Sequence, residues 1–357
     1  MLKGENINGY IIQKDFETSG QSKYSTGIRD GEEFFIKEFF KPKYPTPESR
    51  GSEETKVRKQ KRCKAFEEHH VPIVEILNEK CGRGGNLIYP LDFFRSGTTY
   101  YKVYENINVS TISVEELSKL PWQEKLIIFI TITKSISILH SINLVHGDIK
   151  PDNILIKKTK KNIFTTKLID FDNAYFSEKP PENSEEVVGD QVYYSPELAE
   201  YVMEGTACRR DSLTVKSDIF SLGLIFHLFH TAKIPNFDTK YKYCWEAVLD
   251  DNLSIIESSS NEKFNSLIQE MLSRSTEDRP DINVVFNKLK ELQASAKRPS
   301  ARKKEVYKTS RPESVISSKK ALKISANIKK TKKEEKTEIA YKGGGLKGKL
   351  ISNKTKK

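Results

Sequence analysis

Four cysteines, three methionines and two tryptophans are all the rarer side chains that this 357-residue sequence contains. Cys63, Cys81, Cys208 and Cys244 lie far apart and form no Cys-x-x-Cys pair, which argues against a zinc ribbon and a disulfide-stapled scaffold. Long apolar runs are missing too. The richest, LIIFITITKSISIL, carries Lys134 and several hydroxyls and falls short of the ~20 residues that cross a bilayer. The opening MLKGENINGY has no apolar core of a secretory leader. No repeat period is visible in the body. Together these absences read as a soluble, cytosolic protein.

What is present divides the chain. Hydrophobic types make up 36% of the residues, with 15 Tyr and 18 Phe, enough for a substantial core, so wholesale disorder is excluded. Charge is unevenly spread. Residues 294–357 hold 21 Lys/Arg against 5 Asp/Glu, a net of +16 where the whole chain is +11, so residues 1–293 carry −5. That segment mixes lysine runs with Ser, Thr and GGGLKGK and cannot bury enough surface to offset its ordering entropy; the expectation is a disordered tail. Its charge suits an anionic partner, whether nucleic acid, a phospholipid surface or an acidic protein. Thr309, Ser310, Ser314, Ser317 and Ser318 are tethered hydroxyls within it.

The body changes character near residue 105. GYIIQKDF, SKYSTGI, EEFFIKEFF, NLIYPLDFFR and TTYYKVYENI read as strands, with Asp30-Gly31 as a hairpin turn. The charged stretch 53–70 reads as a helix that Pro72 ends or kinks. Beyond this, Pro121 opens a helix to about Ser141, DIFSLGLIFHLFH is apolar on nearly every side, and INVVFNKLKELQ ends near Gln293. The fold class is α+β, with a small β-rich lobe over 1–105, a helical lobe over 106–293, and the tail 294–357.

The chemistry concentrates in His146-Gly147-Asp148-Ile149-Lys150-Pro151-Asp152-Asn153, followed by the strand ILI, with Asp170 seventeen residues beyond Asn153 in LIDFDNA. Phosphoryl transfer needs Mg²⁺ held by hard oxygen ligands, a carboxylate aimed at the attacking hydroxyl and a lysine on the phosphates. Asp148, Lys150, Asn153 and Asp170 supply these groups, and Lys37 sits mid-strand in FFIK. A lysine on a strand is ordinarily a solvated edge residue; Phe35, Ile36 and Phe39 around this one argue otherwise.

On these motifs the sequence resembles the eukaryotic-like Ser/Thr protein kinase family. HGDIKPDN is similar to its catalytic loop, IDFD to its metal-binding turn and FFIK to its strand-three lysine. GDQVYYSPE, Asp218 in KSDIFSLG and Arg279 in EDRP resemble its downstream marks, in family order over residues 9–293. The resemblance implies a two-lobed kinase fold and transfer of the γ-phosphoryl group of ATP to Ser or Thr of a protein substrate. Asp148 would orient the acceptor hydroxyl, and Lys150 and Lys37 would serve the phosphates. Asn153 and Asp170 would hold Mg²⁺. Gly20 would cover the nucleotide, Tyr104, Glu105 and Ile107 would form the hinge, and Leu155 would floor the adenine pocket. Asp218 would hold the catalytic-loop backbone, and Arg279 would pair with Glu197.

Departures from the pattern carry expectations of their own. Gly147 stands where an arginine grips a phosphorylated activation segment, implying activity that does not wait for that phosphate. The segment from Asp170 to Glu197 offers only Ser177, Ser184 and Ser195 as Ser/Thr acceptors. Asp172 replaces a glycine, Asp190 a threonine that bonds the catalytic aspartate, and Phe35 a small residue at the adenine. The carboxylate partner of Lys37 is either Glu67 or Glu75. Two other classes stay open: a pseudokinase or nucleotide-binding scaffold, and a regulatory body whose tail binds nucleic acid.

Overall fold

The computed structural model describes residues 3–20, 22–107, 111–159, 163–182, 187, 189–204, 210–255 and 261–297. All of these belong to one compact unit, Met1–Ser300. The tail from residue 298 onward, Ser184 and Cys208 lie outside the described residues.

The N-terminal part is an antiparallel sheet of β1 (Asn6–Ile7), β2 (Tyr10–Ile12), β3 (Glu17–Ser19), β4 (Ser22–Arg29) and β5 (Glu32–Phe39), joined further on by β7 (Asp92–Ser96) and β8 (Thr99–Glu105). Its order is β1-β2-β4-β5-β8-β7, with β3 on β4. Asp30 and Gly31 close the β4–β5 hairpin with φ of 53° and 81°; two positive φ values are what a two-residue turn with the right twist requires. One sheet face buries Phe34, Ile36, Tyr101 and Val103 with Ile7 and Ile12. The alternation of a strand puts Phe35, Lys37 and Phe39 of β5, and Tyr100, Lys102 and Tyr104 of β8, on the other face. In register, Lys37 lies directly opposite Lys102.

That second face is covered by α1 (Glu53–Lys80), which contributes buried Cys63, His70, Ile73, Val74 and Leu77. Of the two outcomes Pro72 allows, the helix does not end there but runs on to Lys80. A proline inside a helix costs ~3 kcal/mol or more, and the burial of Ile73, Val74 and Leu77 beyond it offsets that. The stretch NLIYPLDFFR is likewise not one strand. Pro90 cannot donate to a ladder, and the run splits into β6 (Leu87–Ile88) and β7, with β6 pairing parallel to a strand of a second sheet.

The helical part is built on α3 (Trp122–His140) and α5 (Lys216–Thr231), with α2 (Val114–Ser118), α4 (Pro196–Glu204), α6 (Cys244–Leu249), α7 (Glu262–Met271) and α8 (Ile282–Lys297) around them. Every residue of α5 from Ser217 to His227 is buried, as expected of a helix apolar all round. The last helix runs four residues past Gln293. Two small sheets sit on this core: β10 (Ile154–Lys158) with β11 (Phe164–Ile169) and β6, and β9 (Leu144–Val145) with β12 (Tyr175–Phe176). The loop 146–153 thus runs from β9 to β10, and the turn 170–174 from β11 to β12. Both segments that carry the chemistry are pinned at each end by strands. Among the described residues, no helix is long and apolar enough to cross a membrane.

Candidate active site

Loop 146–153 is held from below by Asp218 in the first turn of α5. Its carboxylate accepts the backbone N–H of His146 at 2.8 Å and of Gly147 at 3.1 Å, and pairs with His140 Nε2 at 3.0 Å. His146 is buried, its Nε2 meets the Ile169 carbonyl at 3.1 Å, and its ring packs against Phe171 at 5.1 Å. The loop and the turn after β11 are therefore one assembly. Gly147 shows why no larger residue stands there. Its φ is +75°, and a Cβ would run into the carbonyl oxygen of Asn173.

Within the loop, Asp148 Oδ2 accepts from Lys150 Nζ at 2.7 Å and from Asn153 Nδ2 at 3.0 Å. Asn153 Nδ2 also donates to the Asp148 carbonyl at 2.8 Å. Asp148 and Asn153 are both buried. This clasp fixes both side chains and leaves Oδ1 of each as the oxygen it does not engage. On the turn, Asp170 has φ +63°, a left-handed conformation uncommon for a side chain other than Gly and typical of positions held by their surroundings. Its Oδ1 lies 3.4 Å from Lys37 Nζ.

Two residues on, Asp172 does what the sequence did not announce. It pairs with Lys37 through Oδ2 and with Lys102 through Oδ1 at 2.7 Å. Burial alone would push the Lys37 pKa down, but the Asp172 and Asp170 carboxylates reverse this and raise it. Burial likewise raises the Asp172 carboxyl, yet Lys102 and Lys37 hold it well below the usual carboxylate range. Fully buried Lys102 ends lowered, burial outweighing Asp172. His70 on α1 is kept neutral by burial and by the charge of Lys102. Lys102 and His70 were not singled out from the sequence. The available signal was a lysine inside the apolar strand YYKVY, matching the one in FFIK.

Neither glutamate considered for Lys37 reaches it. Glu67 accepts from the Tyr100 hydroxyl at 2.6 Å and pairs with Arg95 at 3.9 Å, and Glu75 is exposed. Asp190 does not join Asp148 either; its carboxylate caps the short helical turn 191–193 through Val192 N at 3.0 Å. Of the hinge residues, Tyr104 and Glu105 are still within β8, with Tyr104 buried beside Phe35, and half-buried Ile107 follows the strand. Leu155 is half-buried on β10. Gly20, φ +59°, sits exposed at the β3–β4 turn with open space around it. Phe35 stacks on Tyr24 at 5.2 Å, which fills the place of a small residue with a paired aromatic wall.

Arg279 and Glu197 meet as expected, with two N–H···O bonds of 2.7 and 2.8 Å. Ser195, an acceptor by sequence, is fully buried and its Oγ accepts from Leu198 N at 3.4 Å. Among the described residues no cluster of three or more His, Cys, Asp or Glu could hold a metal ion by itself. Asn153 and Asp170 fit instead the sparse oxygen set with which Mg²⁺ is shared between a protein and substrate phosphates.

Comparison with known proteins agrees with this geometry. The profile of the protein kinase domain matches residues 53–289. The chain belongs to that family. The matched span holds Asp148, Lys150, Asn153 and Asp170, while Gly20 and Lys37 precede it. Similar proteins include the serine/threonine-protein kinase Nek5 of Homo sapiens, 24% identical over 75% of this chain and 34% of its own length. Another is calcium-dependent protein kinase 22 of Arabidopsis thaliana, 25% identical over 63% of this chain and 44% of its own. The chain spans less than half the length of these two relatives.

Proposed function

We propose that this protein transfers the γ-phosphoryl group of ATP to Ser or Thr hydroxyls of protein substrates, without waiting for a phosphate on its activation segment. The observation that carries the reading is the Asp148–Lys150–Asn153 clasp, tied through His146 and Phe171 to the turn where Asp170 meets Lys37. Asp148 orients the acceptor hydroxyl and takes its proton. Lys150, already on Asp148, offsets charge on the phosphoryl group in transit. Lys37 holds the α- and β-phosphates against the sheet. Asn153 and Asp170 would hold Mg²⁺, which would offset the charge of the phosphates. The aromatic wall of Phe35 and Tyr104, with Leu155 opposite and the backbone of Glu105 and Ile107 beyond, bounds the adenine, and Gly20 lies over the phosphates. The basic segment 294–357 is proposed as the contact for an anionic partner, on its charge alone.

Incubation with radiolabelled ATP, Mg²⁺ and generic protein acceptors tests the reading, with Asp148→Ala alongside. Label on serine or threonine that disappears in the variant is the expected result. Phosphotyrosine alone overturns the specificity, and nucleotide binding without transfer favours a pseudokinase. Equal retention of the full chain and of residues 1–297 on heparin at low salt overturns the role of the basic segment.

A further inference from the structure

Two lysines directly opposite each other on neighbouring strands repel, and an ammonium buried without a partner is costly. Lys37 and Lys102 are such a pair, at 6% and 0% exposure. Asp172 reconciles them, one carboxylate oxygen on each. Asp170 adds a second acid on Lys37, so two lysines and two aspartates balance. The rings of Phe39 and Tyr24 flank the Lys37 ammonium at 5.7 Å, and Phe39 lies equally far from that of Lys102. No carboxylate of α1 takes part: Glu67 is engaged by Tyr100, Glu75 faces solvent, and α1 meets the Asp172 segment through His69, bonded to the Asp172 backbone, and His70.

We infer that Asp172 is the positioning residue for Lys37, with Lys102 as its buried counter-ion, so that the anchor of the phosphate-holding lysine belongs to the turn bearing Asp170 and not to helix α1. The inference rests on the kinase reading above and assigns Asp172 and Lys102 a part in nucleotide binding. Lys102 cannot itself reach a ligand, being fully enclosed. Its part is to hold one oxygen of the Asp172 carboxylate and so aim the other at Lys37, in line with the sheet.

The test compares Lys102→Met, Asp172→Asn/Lys102→Met, Asp172→Glu/Lys102→Met, Glu67→Gln and Glu75→Gln in the full chain. Melting temperature, affinity for a fluorescent ATP analogue, and KM and kcat are read for each. Asp172→Asn alone leaves buried Lys102 without a carboxylate and Lys37 with Asp170 only, and can fail to fold; the double variant removes Lys102. Expected is a double variant that melts close to Lys102→Met yet loses roughly ten- to hundredfold in analogue affinity, with KM for ATP raised to match, the ordinary worth of a hydrogen bond between charged groups. The Asp172→Glu double should recover part of this, and the two α1 variants should match wild type. ATP affinity equal in the double variant and Lys102→Met overturns the inference, as does a loss in Glu67→Gln or Glu75→Gln as large as that of the double variant. If wild type binds the analogue but transfers no phosphate, only the kinase reading fails and the affinities still decide this one. A wild type that binds no ATP overturns both.

Discussion

Two buried ionic assemblies in this molecule are built on opposite plans. In the helical part, Arg279 is 1% exposed and its guanidinium is fully committed: two bonds to Glu197, one to Ser273 O at 2.8 Å, one to Lys216 O at 3.1 Å and one to Arg274 O at 3.1 Å. Five donors meet five acceptances. Under the N-terminal sheet, Lys37 and Lys102 bring six donors between them to the carboxylates of Asp172 and Asp170. The first assembly is saturated and joins α4, α5 and the segment before α8. Among the described residues the second makes three carboxylate contacts with its six donors, leaving one donor of Lys37 in surplus. Saturation holds a fold together; surplus is what an incoming phosphate can use.

The contrast breaks most sharply at Asp148. Its replacement by alanine should cost about 10²- to 10⁴-fold in turnover, the usual worth of a positioned general base, with little change in melting temperature. A variant that transfers phosphate at the wild-type rate would remove the cleft from the chemistry. Next in size is Arg279→Met. Leaving Glu197 buried without its partner should lower stability by about 3–5 kcal/mol in urea unfolding, while ATP affinity of the folded fraction stays put. Adding Glu197→Gln should recover part of the loss, and a double variant worse than the single would contradict the account.

Smaller effects sharpen the same division. Ser195→Ala removes the hydroxyl that caps the start of α4 and should cost ~1 kcal/mol, yet phosphatase treatment of wild type should leave turnover unchanged. Activity abolished by phosphatase and restored by rephosphorylation at Ser177, Ser184 or Ser195 would reinstate phosphate control. The smallest expected effect lies far from the cleft, at His230. Burial, then the neighbouring Lys125 and His227, push its pKa down to about 4. An unfolded histidine titrates near ~6.5, so below that pH the unfolded chain takes up a proton that the folded one excludes. Stability should be indifferent to this residue above ~pH 6.5 and decline from there toward about 4. His230→Gln should flatten that part of the curve of melting temperature against pH.

Local signals in the sequence reached far into the fold. The Asp-Gly turn, the β-rich start and the buried helix over Ser217–His227 all follow from short patterns that the structure obeys, and the pairing of Arg279 with Glu197 follows from the family resemblance. The spacing of Asp148, Lys150 and Asn153 foretold residues that do share one clasp. What escaped were arrangements made only by register. That Lys102 faces Lys37 depends on how β5 and β8 align, and that Asp172 lies between them depends on the turn after β11. Glu67 and Glu75 were credible partners by separation along the chain alone; helix rotation sends one to Tyr100 and the other to solvent. Pro72 left open whether α1 ends there for the same reason, because the apolar residues that carry the helix past it are rewarded by tertiary burial.

Gly147 sets how closely the loop and the turn can approach. Its positive φ and the carbonyl of Asn173 beside it mean that any side chain before Asp148 would strain the backbone and push the two segments apart. The turn is also the segment from which Asp172 bridges the two lysines. A missing Cβ is therefore a spacing element: it fixes the distance at which two separately folded segments share one site.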